Sequence, residues 1–269
     1  MTSSTPTGPM PALAPQIPPA DLRATMAGPA GYIACATHIG RRRRSNNDHV
    51  VVRVGPSFTA LVVADGVGTR QDAGVAARIG AEVAATVAAQ TGMAHVACEA
   101  ARVAVLGNFD DDPSSATSTL TVAVLSNHSA RQDGAVSWVD LAWLGDSSAW
   151  LLLADETMPM VRLTTPHNPE DDPHVVLRTV TYGEPDHELI ELFLEPGRRL
   201  LLCSDGLDGY VDHEVIEQIL AGAESAHEAC DALVAAALEA GGRDNVTVIV
   251  AELGGERHAD VTGDEPTGE

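Results

Sequence analysis

Lysine is absent from this 269-residue chain, so its sixteen cationic side chains are all arginines, set against 38 acidic residues and a formal charge of −22. That balance argues against the basic face that a phosphodiester backbone demands, and nucleic acid is not an expected partner. It favours solubility and an affinity for cations, and says nothing of fold. Cysteine is scarce: Cys35, Cys98, Cys203 and Cys230 form neither a CxxC pair nor a zinc-ligand spacing. We expect them to be reduced, buried small hydrophobes in a cytoplasmic protein. No run of about 18 uninterrupted apolar residues occurs, so no membrane span is expected. The first residues lack the basic-then-apolar order of a secretory signal. The ten histidines show neither HExxH nor HxH clustering, and no GxxxxGK[ST] phosphate loop is present.

Apolar residues make up 45 % of the chain, the range of a packed globule. Residues 1–30 are rich in Pro, Ser, Thr and Ala, a composition that buries too little surface to offset its ordering entropy. They are predicted to form a disordered tail, as are the Gly- and acid-rich residues 254–269. Residues 31–253 carry one unbroken pattern and read as a single domain. Strand-like runs dominate it: YIACATHI, HVVVRV, FTALVVAD, STLTVAVL, VSWVDLAWLG, SAWLLLAD, LIELFL, RLLLCS and NVTVIVAEL. In STLTVAVL, Leu120, Val122 and Val124 alternate with Thr119, Thr121 and Ala123, the period of a half-covered strand. Ala-rich amphipathic runs predict helices near 71–90, 93–108, 212–222 and 225–240. The strands are grouped and the helices come in consecutive pairs, without βαβ alternation. The expected class is therefore α+β, two antiparallel sheets packed together and covered by helical pairs.

Acidic residues recur where these strands end. LVVADGVG places Asp65 and Gly66 after a strand, LAWLGDSS places Asp146 after another, and LLLCSDGLDG places Asp205 after a third. GGRDNVTVIV puts Asp244 and Asn245 just before a fourth. Taken singly, each is an ordinary turn initiator. Together they can gather in one cleft, where carboxylates repel one another unless a cation compensates. Oxygen-only ligation suits magnesium or manganese, and such ions can activate water for phosphoester hydrolysis. The run RRRRSNND, Arg41 to Asp48, adds a concentrated positive charge that is either a solvated patch or an anion contact beside a carboxylate.

The segments ADGVG, ATSTLTVAV, LGDSS, LTTPHN, LLLCSDGL and RDNVTVIV occur in the order and approximate spacing of the metal-dependent protein serine/threonine phosphatases, the PPM or type 2C family. GRRRRSNND resembles that family's G-x-x-R-x-x-N-E-D. The resemblance spans about residues 32–252 and implies a four-layer α-β-β-α sandwich with two Mn²⁺ or Mg²⁺ ions, and a weaker third, at one end. By the same resemblance Asp65 bridges two ions, Gly66 offers its carbonyl, Asp205 and Asp244 complete the first ion's carboxylates, and Asp146 serves the third. Asp48 orients water from the outer shell, Asn46, Asn47 and Asn245 surround it, and Arg43 binds substrate phosphate. The remaining arginines keep the reading of a solvated patch. The implied activity is hydrolysis of phosphoserine and phosphothreonine in proteins, by a monomer working with a serine/threonine kinase.

Five positions depart from the family pattern: Asn47 for Glu, Thr69 and Ala116 for Gly, Ser148 for the Arg of GDSR, and Pro166 for the Asp of LTxDH. None removes Asp65, Asp205 or Asp244. The departures keep open a weakly active or inactive pseudophosphatase that binds phosphoproteins or kinases. Residues 166–186, Pro- and acid-rich, read as a loop where the family carries a flap. There His167 reads as a structural or substrate-side residue, and His174 as no clear ligand. An aspartyl-phosphate enzyme would need a DxDx[TV] nucleophile motif, which Asp65-Gly66-Val67-Gly68 does not supply.

Overall fold

The structure, a computed structural model, describes residues 21–28, 31–67, 71–109, 116–127, 137–153, 160–169, 171–172, 175–183 and 187–253. One sheet runs β1 (Asp21–Gly28), β2 (Gly31–His38), β12 (Val246–Leu253), β11 (Arg199–Cys203), β8 (Ser148–Leu152) and β9 (Met160–Arg162), in that spatial order. The other runs β10 (Glu188–Leu194), β7 (Ser137–Leu144), β6 (Leu120–Ser126), β4 (Phe58–Val67) and β3 (Asp48–Val54), with β5 (Thr117–Ser118) beside the end of β4. Every pairing is antiparallel.

Three apolar layers hold these elements. Helices α1 (Gln71–Thr91) and α2 (Ala94–Asn108) cover the outer face of the second sheet. Along α1, Ala73, Ala76, Ala77, Ala81, Ala84, Ala85 and Ala88 are all buried, recurring three and four residues apart on one face. Alanine is the best helix former and its methyl lets the backbone lie close on Val62, Val122 and Val124 beneath. The middle layer is sheet against sheet, with Leu61, Val63, Leu125 and Leu141 facing Leu200, Leu202 and Ile249. The third layer packs α3 (Asp205–Asp208), α4 (His213–Gly222) and α5 (Ala226–Glu239) on the first sheet through Leu207, Ile216, Leu220 and Leu233. Ser225 caps α5 by accepting from Glu228 N–H at 3.2 Å, while the Glu228 carboxylate reaches back past the cap to accept from Glu224 N–H at 2.7 Å. The α-β-β-α sandwich expected from the sequence is the fold.

Three expectations change. Strand β6 is buried on both faces: Leu120, Val122 and Val124 meet the helices while Ala123 and Leu125 face the other sheet. Its alternation is one of residue type between two covered faces. Residues 21–28, expected within the disordered tail, instead pair along the whole of β2. Met26 packs on the inter-sheet layer, while Arg23 bridges Asp231 at 2.7 Å and the Thr25 hydroxyl meets His227 Nδ1 at 3.1 Å, both on α5. Residues 1–20 and 254–269, the rest of the predicted tails, lie outside the described residues, as do Thr69 and His174. Third, α3 stands where the sequence predicts only a turn.

The pairing registers set up the site. Asp48 at the start of β3 lies directly opposite Asp65 near the end of β4. Cys203 at the end of β11 lies opposite both Ser148 at the start of β8 and Val248 in β12. Both sheets thus deliver their acidic ends to one side of the sandwich.

Candidate functional site

At that side a cleft of about 330 Å³ is lined by the carboxylates of Asp65, Asp146, Asp205 and Asp244 and by Arg43. Asn47, Gly66 and Asn245 also line it. Arg43 pairs with Asp244 Oδ2. The other arginines of the run are exposed, and the backbone N–H groups of Arg41 and Arg42 anchor the loop by donating to Gly242 O at 2.7 and 3.2 Å. Of four adjacent arginines, only Arg43 lines the cleft.

Asp48 lies behind this lining, 2 % exposed. Its Oδ2 accepts from Ser204 Oγ at 2.8 Å and from Thr247 Oγ1 at 2.7 Å. Thr247 Oγ1 also meets Thr37 Oγ1 at 2.7 Å, which in turn accepts from Asn46 Nδ2 at 2.8 Å. Asn46 Oδ1 closes the loop by accepting from Asp48 N–H at 3.2 Å. Asn245 uses its whole amide on the arginine loop: Nδ2 donates to Ile39 O and Ser45 O, both at 2.9 Å, and Oδ1 accepts from Asn47 N–H at 2.8 Å. Asn47 O accepts from Gly66 N–H at 3.2 Å. A Cβ on Gly66 would stand 2.5 Å from Ala73 O and 2.8 Å from Asn47 O. Glycine is required there by the close approach of α1 and of the Asn47 loop.

The electrostatics are those of crowded acids. Burial, then the charges of Asp48, Asp205, Asp146 and Asp244, push the Asp65 carboxyl well above the usual range. Burial, then Asp146 and Asp244, raise Asp205 to about 8. Burial raises Asp48 to about 6 even though the Thr247 and Ser204 hydroxyls favour its ionised form. Asp48 Oδ1 and Asp205 Oδ1 are buried with no hydrogen-bond partner. Their neighbour is the Asp65 carboxyl, which can donate to them only when protonated. The cluster therefore calls for protons or for a cation. An all-oxygen donor set with orphaned carboxylate oxygens fits a hard divalent ion. Among the described residues no three acidic, His or Cys side chains are already arranged to hold one ion, and Asp244 is paired with Arg43.

Asp146 is fixed by the loop that follows β9. Its Oδ2 accepts from Asn168 Nδ2 at 3.0 Å. Gly145 N–H donates to His167 Nδ1 at 3.0 Å and His167 N–H returns a bond to Gly145 O at 3.0 Å. With Nδ1 accepting, the ring proton sits on Nε2 and points to Glu188 Oε1 at 3.2 Å. Burial lowers the His167 pKa, against the opposing pull of Glu188. His167 is thus structural. The described part of 166–186 contains no helix or strand, and it brings Val176 to the cleft.

Sequence reasoning did not single out Ser204, Thr247 and Thr37, which hold Asp48, nor Tyr210, Asp208 and Arg162 beside Asp205. Ser204 directly precedes Asp205, and Thr247 follows Asn245 by two, so adjacency to the acidic motifs was the available signal.

The protein phosphatase 2C family model matches residues 36–240. Serine/threonine protein phosphatase PstP of Mycobacterium tuberculosis is 35 % identical over 130 residues, 42 % of this chain and 24 % of PstP, so the match spans about a quarter of that relative. Protein phosphatase PhpP of Streptococcus pneumoniae is 24 % identical over 254 residues, covering 83 % of this chain and 98 % of PhpP. The crystal structure of the PPM Ser-Thr phosphatase MsPP from Mycobacterium smegmatis, solved with cacodylate, superposes with a TM-score of 0.67 at 25 % identity, covering 82 % of this chain and 98 % of that one. Sandwich and acidic sheet-end cleft together define the class as a PPM-type phosphatase fold. The chain belongs to the protein phosphatase 2C family.

Proposed function

We propose that this protein hydrolyses phosphoserine and phosphothreonine monoesters in proteins with the help of Mn²⁺ or Mg²⁺. The observation that carries the reading is the convergence of four carboxylates and one arginine on a single cleft, backed by two buried carboxylate oxygens that lack a partner. Asp65, Asp205 and Asp244, with the Gly66 carbonyl, would hold two ions, and Asp146 would hold a weaker third. When bound, such ions acidify water and polarise a phosphoryl group.

The chain's own residues supply the rest. Arg43 offers a planar fork to phosphate and keeps its charge in any setting. Its side chain is 42 % exposed, which leaves it free to exchange Asp244 for substrate. Asp48 accepts from two hydroxyls and leaves its other oxygen towards the carboxylates, a placement suited to orienting water. Asn46 and Asn245 hold its backbone and the arginine loop in register.

Four free, buried cysteines support a reducing, cytoplasmic setting. Among the described residues no helix is long and apolar enough to cross a membrane. A monomer opposing a serine/threonine kinase completes the reading. The test is turnover of p-nitrophenyl phosphate and of a phosphothreonine peptide with manganese, with magnesium and with EDTA. Activity with either metal and none after chelation is expected; turnover that survives exhaustive chelation would overturn the metal role.

A further inference from the structure

Residue 148 is where the family pattern G-D-S-R has its arginine, and here it is serine. The space beside it is nevertheless filled by a guanidinium. Arg162, on the edge strand β9, lies opposite Trp150 of β8 in register. Its guanidinium sits over the Trp150 ring, 5.2 Å from the centroid, and Nη2 donates to Ser148 Oγ. The same Nη2 is 3.4 Å from Asp208 Oδ2, an ion pair without a hydrogen bond to a carboxylate only 5 % exposed.

These contacts join two pieces of backbone that carry site acids. Ser148 follows Asp146 by two residues, and its Oγ donates to Asp146 O at 3.4 Å. Asp208 is the last residue of α3, whose first is Asp205. A helix of four residues has no stability of its own, since it barely exceeds the nucleus. Its direction must come from what grips its ends. At one end Gly206 lies against the start of β12, where a Cβ would be 1.8 Å from Asn245 O. At the other end the buried charge of Asp208 faces Arg162.

We propose that Arg162 is a positioning residue for the metal-binding carboxylates: one guanidinium ties the turn of Asp146 to the helix of Asp205, taking over from the neighbouring strand the place of the arginine missing at 148. The proposal rests on the reading of the cleft as a metal centre. Asp146, Asp205, Arg162 and Asp208 also share the wall of an adjoining cleft of about 490 Å³, so a direct contact between Arg162 and a substrate anion is the competing role.

Calorimetric titration of the full chain with MnCl₂, without substrate, separates the two roles. Arg162→Gln is expected to weaken manganese binding about 10-fold, the usual scale for loss of a group that orients ligands. Restoring the arginine at its other position, in the double variant Ser148→Arg/Arg162→Gln, is expected to bring the isotherm back to within about 3-fold of wild type, the coupling expected of side chains that share one partner. An unchanged isotherm with a raised KM for phosphopeptide would overturn positioning in favour of substrate contact. A double variant no better than the single one would overturn the transposition. Should circular dichroism show Arg162→Gln unfolded, Asp208→Asn removes the charge the guanidinium faces and must weaken binding in the same direction, or the tie is wrong. A wild-type chain that binds no manganese would instead sink the metal-centre reading, and the proposal with it.

Discussion

At the scale of single residues, chemistry separates neighbours that composition treats alike. Arg43 lines the cleft while Arg41 and Arg44 point their charge to solvent. Arg43→Ala is therefore expected to raise KM for a phosphothreonine peptide by about 10-fold or more, since a charge-assisted bidentate contact contributes well over 1 kcal/mol. Arg41→Ala and Arg44→Ala should change it less than about 2-fold at physiological salt, where exposed charges are screened. Equal losses at all three positions would show that the run acts as a diffuse patch. Asn47 poses the opposite test, an uncharged amide where the family has a carboxylate. Its Oδ1 accepts from Ser45 Oγ at 3.1 Å and offers no charge to an ion. Asn47→Glu should move the manganese dependence of activity to about 10-fold lower concentration, the scale of an outer-shell carboxylate. The measurement is initial rate against manganese at one pH and ionic strength, and a shift to higher concentration would mean that Asn47 does not face the metal.

At the scale of elements, the site depends on contacts between short pieces, and glycine marks where they meet. Gly206→Ala would drive a methyl into Asn245 O, 1.8 Å away, and push α3 off β12. Overpacking of this kind costs about 1–3 kcal/mol, and it should also separate Asp205 from Asp244. A fall in denaturation midpoint together with loss of activity is expected. Gly222→Ala, at the end of α4 with nothing within 4 Å of its Cβ, should instead stabilise by about 0.4–1 kcal/mol. The same contrast explains what could be read from the chain alone. The long Ala-rich helices α1 and α5 were legible because their periodicity repeats over many turns, and the apolar strands because their ends carry Asp, Asn or Gly. Helix α3 was not, since DGLD is too short to show a period. Strand β1 follows Pro18 and Pro19 in a polar stretch, and it becomes a strand only because β2 offers it an edge. The acids Asp65, Asp146, Asp205 and Asp244 were legible because each borders an apolar run. The hydroxyls that hold Asp48 were not: Thr37 and Thr247 face each other across β2 and β12, a juxtaposition that exists only after folding. Arg162 was invisible for the same reason, being near Ser148 only through the β8–β9 pairing.

At the scale of the whole molecule, the fold holds carboxylic acids together against their charge, and this sets how its stability must respond to pH. Asp48, Asp65 and Asp205 have folded-state pKa values above the unfolded carboxylate value, about 6 for Asp48 and about 8 for Asp205. Between roughly pH 4 and pH 8 the folded chain therefore binds more protons than the unfolded one, and stability falls as pH rises through that window. Asp140, Asp146 and Asp208 are shifted upward by burial and act in the same direction. The lowered His167 opposes them, because the unfolded histidine binds a proton that the folded one refuses. Among the described residues it is one group against several. The lowered Glu82 acts only below its ordinary value and lies under the window. In EDTA the melting temperature is accordingly expected to drop steadily from pH 5 to pH 8. General repulsion in a chain of charge −22 has the same sign, but it is screened when about 1 M salt shortens the Debye length to about 3 Å. The buried cluster is not screened, so the drop should persist in 1 M NaCl. Manganese should reverse it, since a cation displaces the protons and binds best when the acids are ionised. Melting curves at pH 5, 6, 7 and 8, in high salt, with EDTA or with manganese, test both halves. A flat profile in EDTA, or a slope that manganese leaves untouched, would mean that the acids at the sheet ends are not coupled in one cluster.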